Sequence, residues 1–77
     1  MKVRYAGESF YSGLGLTNGK VYVVLDKKGP FYRIIDDSGE DYLYSKTNPA
    51  PLDGSSKGGY WNIVEYWKSK IKTHSEA

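Results

Sequence analysis

Three apolar segments, separated by two short turn sequences, constrain this chain more than any other feature. They span 20–26 (KVYVVLD), 31–36 (FYRIID) and 41–44 (DYLY), and are rich in the β-branched and aromatic residues that favour strands. The turn sequences are 27–30 (KKGP) and 37–40 (DSGE), both of which break regular structure. The pattern therefore predicts a three-stranded antiparallel meander.

Two further segments flank this meander. Residues 2–6 alternate polar and apolar side chains, which is the period of a half-buried strand. Residues 60–66 fit either a strand or, continued to Ile71, the apolar face of an amphipathic helix. We favour the strand, because a last strand lying beside the first would cover an unpaired sheet edge. The sequence thus predicts an all-β protein of five strands.

The connections carry apolar residues of their own. Residues 7–19 predict a long ordered loop, pinned by its large side chains Phe10, Tyr11, Leu14 and Leu16. Residues 45–49 (SKTNP) predict a single helical turn stopped by proline. Residues 50–59 predict a loop whose one apolar anchor is Leu52.

Composition limits the class of protein. A chain of 77 residues is one domain, and its aromatic content of 16% excludes disorder of the body. There are no cysteines, so disulfides and thiolate metal sites are excluded. The longest apolar run, 21–25, is too short to cross a membrane, and no secretory leader opens the sequence, so we expect a cytoplasmic protein without a membrane partner.

The net charge of +2 comes from the C-terminal segment. Residues 1–67 carry eight basic and eight acidic groups, and the surplus lies on Lys68, Lys70 and Lys72, partly offset by Glu76. We therefore expect a neutral domain over 1–67 and a basic tail over 68–77, either flexible or a short helix. A basic tail on a neutral body is a weak signal for nucleic acid.

The order of elements resembles that of SH3 domains: a strand, a long aromatic loop, a meander, a short helical turn and a last strand. Residues 15–22 (GLTNGKVY) are similar to the diverging turn of that barrel, and 31–44 and 48–56 resemble small SH3-like proteins of Firmicutes and their phages. The resemblance implies a five-stranded SH3-like barrel. It implies no activity, because that family has none that can be carried over to this chain. In eukaryotic SH3 domains, aromatic residues bind proline-rich peptides; the loosely matching positions are Tyr5, Phe10, Tyr11, Phe31 or Tyr32, Tyr44 and Pro49.

The sequence offers little for catalysis. Its one histidine, His74, lies four residues from the end, where no rigid frame would hold it against a nucleophile. The acidic residues Asp36, Asp37, Glu40 and Asp41 crowd one turn, and their carboxylates suit backbone amides better than a metal ion. We therefore predict a protein that is not an enzyme and that has no cofactor or metal.

The tyrosines remain as candidate binding residues. If Val24, Ile34 and Leu43 face inward, alternation along the strands directs Tyr42 and Tyr44 outward. Phe31, Arg33 and Ile35 would then share that outer face, either as ordinary cross-strand packing or as a recognition surface. The candidate partner-binding residues are Phe10, Tyr11, Phe31, Tyr32, Arg33, Tyr42 and Tyr44.

Three functions follow from these observations. The first is a protein- or peptide-binding module, in keeping with the bacterial or phage resemblance. The second is nucleic-acid binding, with exposed tyrosines stacking on bases and Lys68, Lys70 and Lys72 contacting phosphates. The third is binding of a nucleotide signal at a subunit interface by the backbone amides of the glycine-rich loops 12–19 and 54–59. The sequence favours the first and leaves the oligomeric state open.

Overall fold

The structure, a computed structural model, describes residues 1–11 and 13–66, and its regular elements are all strands. These are β1 (Lys2–Gly7), β2 (Val21–Lys28), β3 (Phe31–Ile35), β4 (Asp41–Ser45) and β5 (Gly59–Glu65). They form one antiparallel sheet in the order β4-β3-β2-β1-β5. The all-β prediction, the meander and the pairing of the last strand with the first are confirmed. Within the described ranges, no helix is long and apolar enough to cross a membrane.

The sheet is open, with β4 and β5 as its two edges. No backbone ladder joins these edges in the part of the chain that the structure describes, so the predicted closed barrel is not shown. One side chain bridges them instead: Trp61 of β5 donates a hydrogen bond from Nε1 to the Ser45 carbonyl of β4 at 3.0 Å. The sheet therefore curls far enough for its edges to meet through an indole ring.

Three tyrosines take part in the core on the inner face of the sheet. The buried residues are Val3, Tyr5, Leu16, Tyr22, Val24, Tyr32 and Ile34. Buried tyrosine hydroxyls need hydrogen-bond partners. The hydroxyl of Tyr5 donates to the Glu8 carbonyl at 2.7 Å, and that of Tyr22 donates to Asp37 Oδ1 at 2.9 Å. Tyrosine can therefore serve here as a large core residue.

β4 presents the opposite faces from those predicted. In its pairing with β3, Tyr44 lies opposite Tyr32 and Leu43 lies opposite Arg33. Residues directly opposite in an antiparallel pair share a face, so Tyr44 is on the inner face with the core and Leu43 is on the outer face. The prediction that Leu43 faces inward and Tyr44 outward is wrong. The reason is that DYLYS has no polar residue between its apolar ones to fix the facing.

The other predicted orientations agree with the structure, with one exception. Val24 and Ile34 are buried, whereas Phe31 and Ile35 are exposed on the outer face. Tyr42 is the exception: it is half exposed, as expected, but it lies opposite Ile34 and so belongs to the inner face.

The connections differ from their predictions in three places. Residues 45–49 form no helical turn, because the Ser45 hydroxyl accepts the amides of Thr47 and Asn48 and so replaces helical hydrogen bonds. Leu52 is fully exposed and anchors nothing. In the first loop, Leu16 is buried and Phe10 packs against the core, whereas Tyr11 and Leu14 are exposed.

Candidate functional site

A groove runs along β4, between the first loop and the loop that leads to β5. We call it the β4 groove; its volume is about 760 Å³. Its lining is mostly apolar and consists of Phe10, Leu14, Gly15, Phe31, Asp36, Ser38, Tyr42, Leu43, Tyr44, Ser45, Asn48, Ala50, Pro51 and Leu52. Four consecutive residues of β4, from Tyr42 to Ser45, line it although their side chains alternate between the two faces. The groove therefore follows the edge of the strand rather than one face of the sheet.

The free edge of β4 offers backbone groups for pairing. The Lys46 amide donates to the Pro30 carbonyl at 2.9 Å, and the Asp36 amide donates to the Glu40 carbonyl at 3.1 Å. These two bonds fix which pairs of the β3–β4 ladder are hydrogen-bonded, because such pairs alternate with non-bonded ones. The backbone groups of Tyr42 and Tyr44 consequently point toward β3. Those of Asp41, Leu43 and Ser45 point away from the sheet.

Trp61 limits this free edge. Its indole Nε1–H donates a hydrogen bond to the Ser45 carbonyl, which is one of the groups that point away from the sheet. The ring also makes edge contacts with four tyrosines, at centroid distances from 5.7 Å for Tyr5 to 6.4 Å for Tyr44. Asp41 and Leu43 therefore form the stretch of edge that no side chain covers among the described residues.

A buried carboxylate lies in the lining of the groove. Asp36 Oδ2 accepts the Tyr44 hydroxyl at 2.6 Å, and Oδ1 accepts both the amide and the hydroxyl of Ser38. Burial of the phenol raises the pKa of Tyr44 far above its usual range, and the Asp36 carboxylate raises it further. The Tyr44 hydroxyl thus keeps its proton and remains a donor to Asp36. The predicted role of the turn's carboxylates, bonding to local backbone amides, is confirmed for Asp36.

Aromatic rings form the wall beside this carboxylate. Phe10 packs edge-on against Tyr44 at a centroid distance of 6.1 Å. A Cβ atom added at Gly15 would lie 2.1 Å from the Phe10 ring, so only glycine lets the first loop pass so close to that side chain. The positions of these two rings are therefore set before any ligand arrives.

Asp37 holds the first loop against the turn between β3 and β4. Its carboxylate accepts hydrogen bonds from Thr17 Oγ1 at 2.7 Å, Lys20 Nζ at 2.7 Å and the Tyr22 hydroxyl at 2.9 Å. Burial of the Asp37 carboxyl raises its pKa, but these hydrogen bonds more than offset burial and leave the pKa below its ordinary value. The first loop, which forms one wall of the groove, is thus tied to the β3–β4 turn by a polar cluster.

The electrostatic character of the groove is acidic. Of the residues in its lining that the structure describes, Asp36 is the one that carries an ionisable acidic or basic side chain apart from the tyrosines. Glu40 is next to it and accepts the Tyr42 hydroxyl at 3.1 Å; this hydrogen bond raises the pKa of Tyr42. Two cations lie close in sequence, but Arg33 pairs with Asp41 at 3.2 Å and Lys46 Nζ lies 5.5 Å from the Tyr32 ring. A positively charged group would therefore be favoured in this groove.

The structure brings together four of the seven candidate binding residues. Phe10, Phe31, Tyr42 and Tyr44 line the groove, and Tyr11 is exposed on the first loop outside its lining. Two are placed elsewhere: Tyr32 is buried in the core, and Arg33 lies on the outer face in its ion pair with Asp41. The tail residues Lys68, Lys70 and Lys72 lie outside the described residues.

Sequence reasoning missed the rest of the lining, above all Asp36, Leu14, Leu43 and Leu52. The two loop leucines, Leu14 and Leu52, could have been found from one signal, since each is a large apolar residue among glycine, serine and proline. Asp36 was treated only as a turn residue. The described residues contain no group of three or more acidic, histidine or cysteine side chains placed to hold a metal ion.

Comparisons with known proteins add no assignment. No family model, curated protein or solved structure matches this chain. The functional argument therefore rests on the chemistry of the β4 groove.

Proposed function

We propose that this chain is a non-enzymatic module that binds a peptide, or an exposed segment of a protein, in the β4 groove. The observation that carries the proposal is the coincidence of an apolar groove along Tyr42–Ser45 with a strand edge whose backbone groups at Asp41 and Leu43 are uncovered among the described residues. Strand edges bind extended chains through backbone hydrogen bonds, and adjoining pockets select their side chains. The strand order, with the last strand beside the first, also supports an SH3-like relationship.

The exposed leucines support a macromolecular partner. Leu14 on the first loop is 61% exposed and Leu52 on the opposite loop is 106% exposed, and both line the groove. Exposing two large apolar side chains to water has a cost that a partner would remove by covering them. Their positions on opposite sides suit a chain that passes between them.

The charge of the groove favours a peptide over nucleic acid at this site. Bases could stack on Tyr42 or Phe10, but a phosphate backbone needs cations. Among the described residues, the lining has the Asp36 carboxylate and no lysine or arginine.

The glycine-rich loops favour a nucleotide less than the sequence suggested. The amides of Gly19 and Gly58 donate within the protein, to the Tyr5 carbonyl at 2.8 Å and to Ser56 Oγ at 3.0 Å. The amides of Gly13 and Gly54 likewise donate to carbonyls of their own loops. These groups are therefore engaged rather than open to a phosphate.

A random-peptide display selection on the full chain tests the proposal. Tyr42→Ala removes a ring from the groove, whereas Tyr60→Ala removes a similarly exposed tyrosine from β5 and serves as the matched control. We expect selected peptides to lose at least about ten-fold in affinity on Tyr42→Ala, in line with loss of an aromatic contact residue, and to tolerate Tyr60→Ala. A selection that yields no binder, or binders equally sensitive to both variants, would contradict the proposal.

A further inference from the structure

We infer that the ligand of the β4 groove is an extended segment bearing a basic side chain, which pairs as a sixth strand with Asp41 and Leu43 of β4. The inference rests on the proposed function and specifies the partner's chemistry. Its basis, within residues 1–11 and 13–66, is the combination of an uncovered strand edge with rings and with two carboxylates, Asp36 and Glu40, that pair with no lysine or arginine.

The edge fixes the hydrogen bonds of such a strand. Asp41 and Leu43 each direct one amide and one carbonyl away from the sheet, as the β3–β4 register requires. A ligand residue opposite Leu43 would exchange both of its backbone bonds with it. Pairing would end at Ser45, since its carbonyl already accepts the Trp61 indole and the ring lies across the edge there.

The alternation of side chains fixes where a cation would enter. A ligand residue opposite Leu43 would place its side chain on the outer face, and its two neighbours would point to the inner face beside Tyr42 and Tyr44. That inner side of the groove holds the rings of Phe10, Tyr42 and Tyr44, with the Asp36 carboxylate among them. Cations are attracted both to ring faces and to carboxylates.

The charges of the groove therefore favour a basic over an acidic side chain in the ligand. Glu40 and Asp36 lie on the side of the groove at the turn, and neither makes an ion pair with a lysine or arginine among the described residues. An arginine or lysine side chain would fill this position, whereas a glutamate there would face two like charges. Apolar β-branched residues on either side of the cation would maintain the extended conformation.

The probes are three short peptides titrated into isotope-labelled full-length protein, with the amides of Asp41 and Leu43 observed by NMR. The first is acetyl-Thr-Val-Arg-Val-Thr-amide. The second replaces its arginine with glutamate, and the third is N-methylated at both valines, which removes the donors that would face β4. We expect the first peptide to shift both amides. The second and third should each bind at least about ten-fold more weakly, through loss of the cation or of the backbone bonds.

Glu40→Gln measures the electrostatic contribution directly. We expect affinity for the arginine peptide to fall about two- to five-fold, the range of an exposed ion pair. Glu65→Gln is the matched control, because Glu65 is an exposed glutamate on the opposite edge strand, 3.7 Å from Lys2. The control should leave the affinity unchanged.

Four outcomes would overturn the inference, and they separate it from the proposed function. Equal binding of the glutamate peptide would exclude the basic ligand, and equal binding of the methylated peptide would exclude strand pairing, yet both would leave a peptide-binding groove. If none of the three peptides moved either amide, the inference would fail, and the display selection would still decide the proposed function. A ten-fold gain in affinity on replacing Lys68, Lys70 and Lys72 with serine would assign the groove to the chain's own tail.

Discussion

Asp37 joins the turn between β3 and β4 to residues 15–22, a stretch that runs from the end of the first loop into β2. Its side chain is 8% exposed and accepts bonds from Thr17 and Lys20 in the first loop and Tyr22 in β2. Its amide also donates to the Gly15 carbonyl at 2.9 Å. Neither an amide nor a protonated acid could replace this carboxylate equally well, because each of them accepts fewer hydrogen bonds.

We predict that Asp37→Asn lowers the free energy of unfolding by about 1–3 kcal/mol, because hydrogen bonds to a largely buried carboxylate would be lost or poorly made. Asp53→Asn is the control: Asp53 bonds only to Ser55 within its own turn, and its change should be within about 0.5 kcal/mol. Urea titration of all three proteins at neutral pH measures the difference. Equal midpoints for the two variants would contradict a special role for Asp37.

The difference in stability between wild type and Asp37→Asn should depend on pH, because the pKa of Asp37 is lowered in the folded state. The folded state binds its proton less tightly than the unfolded state, whose pKa is near the ordinary 3.8. The Asp37 carboxylate therefore contributes fully to stability above about pH 3.8. This contribution is lost as the pH falls from there through the lower pKa of the folded state. Urea titrations in acid should show wild type and Asp37→Asn converging, and a gap that widened toward low pH would refute the assignment.

At the scale of elements, the two long loops use their leucines in opposite ways. Leu16 in the first loop is buried in the core, and Leu52 in the loop before β5 is exposed at the groove. The same residue type therefore packs in the core in one loop and lines the groove in the other.

We predict that Leu16→Ala lowers the free energy of unfolding by about 2–5 kcal/mol, whereas Leu52→Ala changes it by less than about 0.5 kcal/mol. The reason is that only Leu16 leaves a cavity when it is shortened. Chemical denaturation measures both changes. Affinity for display-selected peptides should fall on Leu52→Ala, so a variant that lost stability and kept its affinity would reverse our reading of this loop.

The elements were more predictable than their faces. The strands follow from dense β-branched and aromatic segments between turn residues, and all five were found within about two residues at each end. The inner and outer faces of β4 were predicted wrongly because tyrosine occurs both in cores and on surfaces. Tyr42 and Tyr44 therefore give no alternation of polar and apolar residues that would distinguish the two faces. The site was only partly predictable: its aromatic rings were candidates from the sequence, whereas the place of Asp36 in the lining depends on contacts that no local pattern encodes.

At the scale of the whole molecule, stability depends on a core built from phenols. Tyr5, Tyr22 and Tyr32 account for three of its seven buried residues. Burial raises the pKa of Tyr22 from 10.0 to about 12, with the Asp37 carboxylate adding to the effect, and burial likewise raises the pKa of Tyr5. Ionising Tyr5 or Tyr22 in the folded protein therefore costs free energy that is not spent in the unfolded chain.

We therefore predict a progressive loss of stability in alkali. The folded state holds the Tyr22 proton more tightly than the unfolded state, so this contribution is complete below pH 10 and is lost as pH rises toward about 12. Urea midpoints measured across this window should fall. Tyr22→Phe should flatten the decline, and Tyr60→Phe, at an exposed phenol, should not. A midpoint independent of pH in this range would contradict the prediction.

The pairing of β1 with β5 also determines how the molecule would respond to mechanical force. Lys2 and Glu65 lie opposite each other at one end of this antiparallel pair, and Gly7 and Gly59 lie at the other. A load applied between Lys2 and Glu65 would pull across the strands and separate their backbone bonds one at a time, as a zipper opens. Peeling would meet a second attachment at Trp61, whose indole is tied to Ser45 on the far edge. Under this load β5 should therefore leave the sheet first, and Trp61 should add its own attachment to the resistance of the backbone ladder.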